Sequence, residues 1–231
     1  LPSVVAIAIS AMLGAGIFVL PGLAIADSGA MLWLAYLMAG ICVLPAAVSK
    51  SELATAMPTS GGTYVYIDRT FGPLAGTVAG LGLWLSLLLK SAFALVGFAA
   101  YLAAISPQFG AHGPFGISLS LALLALILLI NVRGVGKVSK AQVVVMIFSV
   151  GGLAAIAVAG GIRFDFSNFD VGTGNAGTMG LFAATAFVFV AYNGVTKVAA
   201  IAEEIKQPER NLPLGILLSL LIVTALYTSL T

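Results

Sequence analysis

Long stretches without a single charge set the limits on this chain. Residues 1–26 and 28–49 carry none, 70–106 carry only Lys90, and 113–132, 141–162, 171–196 and 211–231 again carry none. A helix that crosses a bilayer needs about 20 largely apolar residues. The uncharged gaps therefore predict seven spanning helices, at roughly 3–26, 30–55, 73–106, 114–132, 140–161, 177–202 and 211–231. Only 8% of the 231 residues are charged and 61% are hydrophobic, with a mean hydropathy of +1.14. A soluble domain carries about 25% charged residues, so a water-facing globule is excluded. Disorder is excluded as well, because its signature is low hydrophobicity. The solvent of this chain is lipid.

The same counts dismiss several activities. A net charge of +2 is too small for a nucleic-acid binder. Cys42 is the only cysteine and His112 the only histidine, which leaves no disulfide, no metal cluster and no Cys–His dyad. Ser10, Ser49 and Ser51 have no histidine near them in sequence, and GAGIF at 14–18 lacks the Lys-Ser/Thr of a phosphate loop. The chain reads as a protein without enzymatic activity or organic cofactor.

Residues 1–26 have no charged start and no small-residue cleavage site, so they read as a span and not a signal peptide. Both ends of the chain are apolar, the expectation for a piece of a longer membrane protein. With residue 1 in the cytoplasm, the inner loops hold Lys50, Arg69, Arg133, Lys137, Lys140, Lys206 and Arg210, and the outer loops only Arg163. That asymmetry places the N-terminus inside. The stretch IRFDFSNFDVGTGNA at 162–176 is the longest outward loop.

Two spans carry poor helix formers near their centres. The first reads AISAMLGAGIFVLPG, and each glycine in a helix interior costs about 1 kcal/mol against alanine. An interrupted helix in lipid must satisfy the backbone groups it frees. A cavity holding a polar ligand does so, and the amides of Gly14, Ala15 and Gly16 at the start of the outer half-helix suit a carboxylate. The sixth span holds Tyr192-Asn193-Gly194; a break there frees the carbonyls of Phe189, Val190 and Ala191 for an ammonium group. Close helix packing explains either glycine site equally well when it is taken alone. Together they stand five helices apart, in spans that run in opposite directions. That is the position of discontinuous helices in inverted-repeat transporters. Residues 1–161 then form a first five-helix repeat, and 162–231 an external loop and the start of a second. No residue-level repeat is visible, so this division rests on position.

GAGIF in span one, ELATAMPTSGGTYVYIDRTFGP at 52–73 and FVAYNGVTKVAAIAEEIKQPERNLP at 189–213 resemble the amino acid–polyamine–organocation (APC) transporter family. The resemblance implies an all-α, LeuT-like inverted-repeat bundle with helices one and six discontinuous, and with further helices beyond the seventh. It implies an amino acid permease of the plasma membrane. The substrate carboxylate would be held by the amides of Gly14, Ala15 and Gly16, with Ile17 next to them. Its amine would be held by carbonyls at Met12, Val190 and Asn193, beside Phe189, Ala191 and Gly194. Helix three would line the pocket with Ser86, Leu87, Ser91 and Ala94. A gating aromatic of some family members falls at Val190, which moves that gate to Phe189 or Tyr192 or removes it. The helix-five lysine of proton-coupled members falls at Gly151 or Gly152, so that device is missing.

Two lysines sit inside spans. Lys90 is seventeen residues from both Pro73 and Pro107, or about 25 Å along a helix, too far to reach either surface. It is either a proton-carrying or charge-compensating group that replaces the absent helix-five lysine, or a lysine bonded to carbonyls and hydroxyls within the bundle. Lys197 lies six residues before Glu203, about 9 Å from the cytoplasmic boundary. It can snorkel, pair with Glu203 or Glu204, or help form an inner gate with them. No acidic side chain stands at either break, which favours a neutral apolar amino acid over a polyamine. The function expected is alternating-access transport of an amino acid, by proton-coupled symport or exchange. The alternatives are a sodium-coupled carrier, or a transporter-like receptor that binds without moving its ligand. Expected partners are the amino acid and membrane lipid.

Overall fold

The structure is a computed structural model that describes residues 1–57, 59, 61–105, 114–132, 135–162, 177–205 and 207–231. All regular structure among the described residues is helical. In order it comprises α1 (Pro2–Met12), α2 (Ala15–Phe18), α3 (Leu20–Ser28), a 3-10 turn (Gly29–Met31), α4 (Leu32–Ala56), α5 (Thr63–Phe71) and α6 (Pro73–Ile105). There follow α7 (Pro114–Val132), α8 (Val135–Ile162), α9 (Gly177–Val188), a 3-10 helix (Phe189–Glu204) and α10 (Pro208–Leu230).

Proline marks several of these starts. Pro2, Pro73, Pro114 and Pro208 each open a helix, where the missing N–H has no acceptor to lose and φ is already helical. Pro45 and Pro213 lie inside α4 and α10.

Five helical runs are long and apolar enough to cross a membrane: Leu20–Ala56, Pro73–Ala103, Phe115–Val132, Gly177–Ala200 and Pro208–Leu230. The later expected spans match these to within a few residues. The first does not survive as one helix, because 3–26 is divided among α1, α2 and α3. Its C-terminal part instead joins α4 through the 3-10 turn, bending where Gly29 adopts φ 54°. The fifth expected span, 140–161, lies within α8, whose apolar part includes Ile147–Gly160. Of the expected loop at 162–176, residues 163–176, with Arg163, lie outside the described residues, as do Arg133 and Lys206.

The segment after the second expected span contains a further helix. α5 runs between Gly62 and Gly72, both at positive φ, and buries Tyr66. The Tyr66 hydroxyl reaches the Ala199 carbonyl at 3.5 Å. Burial holds the Tyr66 phenol above its usual pKa.

The chain divides into two compact units, one of Leu1–Gly82 with Gly151–Thr231 and the other of Leu83–Val150. In the first, α1, α4, the long 3-10 helix and α10 pack on one another, and α9 lies against α3 and α4. Their shared core holds the fully buried Met12, Tyr36, Val188, Tyr192, Val195, Leu212, Ile216, Val223 and Tyr227. The second unit turns Leu121, Leu126, Leu128 and Leu129 of α7 outward. An apolar surface of that kind suits hydrocarbon and not water.

Candidate functional site

The first helix breaks where its glycines begin. α1 ends at Met12, and Leu13 turns to an extended conformation (ψ 124°) while its N–H donates to the Ile9 carbonyl at 2.8 Å. The Gly14 carbonyl then accepts the N–H groups of Ile17 at 3.1 Å and Phe18 at 3.2 Å, restarting the helix at Ala15. The first N–H groups of a helix have no acceptor within it; here these are the amides of Ala15 and Gly16. Pro21 explains why the new helix stops after one turn. It has no N–H to offer the Ile17 carbonyl, and its ring crowds that group. The chain therefore passes through Val19 before α3 begins at Leu20.

The carbonyls freed by the break are taken up by tyrosines. The Tyr227 hydroxyl, on α10, donates to the Met12 carbonyl at 2.9 Å. The Tyr36 hydroxyl, on α4, donates to the Gly16 carbonyl at 2.6 Å. The Tyr192 hydroxyl donates to the backbone carbonyl of Tyr36 at 2.9 Å. All three side chains are 0% exposed. Their rings meet edge to face, Tyr36 with Tyr227 at 5.3 Å and 68°, and Tyr192 with Tyr227 at 5.5 Å and 64°. Such pairs contribute about 0.5–1.5 kcal/mol beyond burial. A buried phenol needs an acceptor and an interrupted helix needs donors, so each need meets the other.

Helix six differs from its expected form. It does not open at Tyr192-Asn193-Gly194; α geometry gives way at Phe189 to a 3-10 helix that continues to Glu204. A 3-10 helix is narrower and rises further per residue than an α-helix, and here it lies directly on the first helix. A Cβ added to Gly16 would stand 2.7 Å from Ala191 Cβ and 2.8 Å from Ala191 Cα. One added to Gly194 would overlap the Ala11 carbonyl group and the Met12 nitrogen. Gly16 and Gly194 thus allow the two backbones to touch. Gly14 is different, because the side where its Cβ would stand is open space.

The expected site residues divide between the two units. Met12, Gly14, Gly16, Ile17, Ala191 and Gly194 gather at the contact of helices one and six, all buried except the half-buried Gly14. The side chain of Ala15 lies outside the described residues. Phe189, Val190 and Asn193 are exposed faces of the 3-10 helix. Tyr192 is held in the tyrosine cluster. Ser86, Leu87, Ser91 and Ala94 are exposed on α6 in the other unit, where the Ser91 hydroxyl donates to the Leu87 carbonyl at 2.9 Å. Lys90 is half-buried on the same helix and engaged in an interaction. Gly151 and Gly152 face open space. Lys197 and Glu203 are exposed at the far end of helix six, and the Glu204 side chain lies outside the described residues. Tyr36 and Tyr227 were missed by the sequence reading. Nothing near either tyrosine in sequence marks the distant carbonyl that its hydroxyl meets.

A family model described as amino acid permease matches residues 1–231. The chain is 30% identical over 240 residues to the branched-chain amino acid permease BcaP of Bacillus subtilis, covering 96% of this chain and 50% of that protein. It is 32% identical over 247 residues to the vacuolar cationic amino acid transporter 2 of Arabidopsis thaliana, covering 98% and 38%. It is 29% identical over 223 residues to the serine/threonine exchanger SteT of Bacillus subtilis, covering 95% and 50%. The chain spans about half the length of these curated relatives or less. All are transporters and not enzymes, in keeping with a multi-pass integral membrane chain. By its full-length match, the chain belongs to the amino acid permease family.

Proposed function

We propose that this chain is the substrate-binding half of a secondary active transporter that carries a neutral apolar amino acid by alternating access. The observation that carries this reading is the interruption at Leu13-Gly14, which lies against helix six and has open space beside Gly14. There the amides of Gly14, Ala15 and Gly16 receive the substrate carboxylate. Met12, Val190 and Asn193 offer carbonyls to its ammonium group, and Ile17, Phe189, Ala191 and Gly194 border the same contact. The Met12 carbonyl already accepts one hydrogen bond from Tyr227 and has a second lone pair to give. In the inverted-repeat arrangement, residues 1–161 are the first repeat and 162–231 open the second.

Lys90 carries the coupling proton in this reading. Lys197, Glu203 and Glu204 form an inner gate, and the N-terminus lies on the cytoplasmic side of the plasma membrane. The name of the BcaP relative, a branched-chain amino acid permease, supports an apolar substrate. A thermal-shift screen of the full-length protein against the twenty amino acids tests the reading, because a ligand of the folded state stabilises it according to its affinity. Stabilisation by leucine, isoleucine or valine is expected. Stabilisation by none of the amino acids contradicts it.

A further inference from the structure

Two carbonyls flank the interruption of the first helix, and each is held by a tyrosine from a different helix. Tyr227 of α10 holds Met12 on one side, and Tyr36 of α4 holds Gly16 on the other. The residues between them, Leu13, Gly14 and Ala15, include the least restricted backbone in the segment, and glycine adopts many orientations with little penalty. Pinning the carbonyls on both sides removes that freedom and decides where the intervening N–H groups point. Helix six joins the same network. Tyr192 donates to the Tyr36 backbone. Its neighbour Ala191 touches Gly16. A shift of the 3-10 helix therefore pulls on the support of Gly16 through Tyr36.

Each ring alone would fill its place in the core, and phenylalanine would do that as well. The hydroxyls are the added element. All three are spent on main-chain carbonyls, two of them at the break. We propose that Tyr36 and Tyr227 are positioning residues that aim the amides of the break at the substrate carboxylate, and that Tyr192 links this aim to the state of helix six. This proposal rests on the break being the carboxylate site.

The test uses the full-length protein with Tyr36→Phe, Tyr227→Phe and Tyr192→Phe, which keep the rings. Hydrogen exchange of residues 13–17 needs no ligand. It is expected to quicken by about tenfold in the first two variants and less in the third, the loss expected for one hydrogen bond. Unchanged exchange at 13–17 overturns the proposal. The second readout compares L-leucine with 3-methylbutylamine, which has the same side chain and ammonium group but no carboxylate. Tyr36→Phe is expected to weaken leucine binding by about tenfold and leave binding of the amine unchanged. Equal loss for both probes marks a merely structural role and overturns the proposal. A wild-type protein that binds neither probe counts against the substrate reading instead, and the exchange measurement still decides whether the tyrosines hold the break.

Discussion

The hydroxyl of Tyr227 donates to the carbonyl of Met12 over 2.9 Å, joining the last turn of α10 to the last residue of α1 across 215 positions of sequence. Both residues are buried, at 0% and 1% exposure, so the bond is made in a low-dielectric interior where neither group has water as an alternative. Tyr227→Phe should lower the stability of the full-length protein by about 1 kcal/mol, the usual net value of such a bond. Tyr227→Ala should lower it by about 3–5 kcal/mol by opening a ring-sized cavity. Equilibrium unfolding in a denaturing detergent checks both values and their order.

The contact of helices one and six depends on two missing side chains. Gly194→Ala places a methyl group into the Ala11 carbonyl group, and backbone cannot rotate aside as a flexible side chain can. Destabilisation of about 1–3 kcal/mol is expected, the range for overpacking. Gly82→Ala and Gly152→Ala meet nothing within 4 Å and should raise stability by up to about 1 kcal/mol, the helix propensity gained. Melting temperatures of the three variants, measured side by side, are the check.

Lys90 is the charge farthest from either end of its span. Lys90→Met should abolish the acceleration of uptake by an inward proton gradient while exchange of substrate at equal pH persists. Proteoliposome uptake at several gradients measures this. Proton stimulation that survives in the variant would assign coupling elsewhere.

Tyr66 gives a pH signature outside the spanning segments. Burial raises its folded pKa, so the folded state holds the phenol proton more tightly than the unfolded chain does. Its contribution is fully present below the unfolded value of about 10 and is lost as pH rises through the folded value. Stability should therefore show no pH dependence from Tyr66 near neutrality and an alkaline loss that Tyr66→Phe reduces. Melting curves across the alkaline range compare the two proteins.

The later spans were legible because lipid imposes a simple rule, and Arg69 falls between two of them where that rule allows. The break in the first helix was legible from Gly14 and Gly16, which no helix interior favours. The form of helix six was not. Asn193 and Gly194 suggest an opening, whereas the structure narrows the helix, and that outcome depends on how closely Ala11 approaches. α5 was hidden because its aromatic pair, Tyr64 and Tyr66, reads as a loop motif; Gly62 and Gly72 at its ends were the available signal. The tyrosine supports could not be seen at all, since nothing near Tyr36 in sequence indicates that its hydroxyl meets Gly16, twenty residues earlier.

The most direct measurement is uptake of radiolabelled L-leucine by the full-length protein in proteoliposomes with an inward proton gradient. Accumulation above the external concentration, lost when the gradient is collapsed, is the predicted result. Leucine that binds but never accumulates would make this a receptor and not a carrier. Uptake that requires sodium and ignores pH would contradict proton coupling.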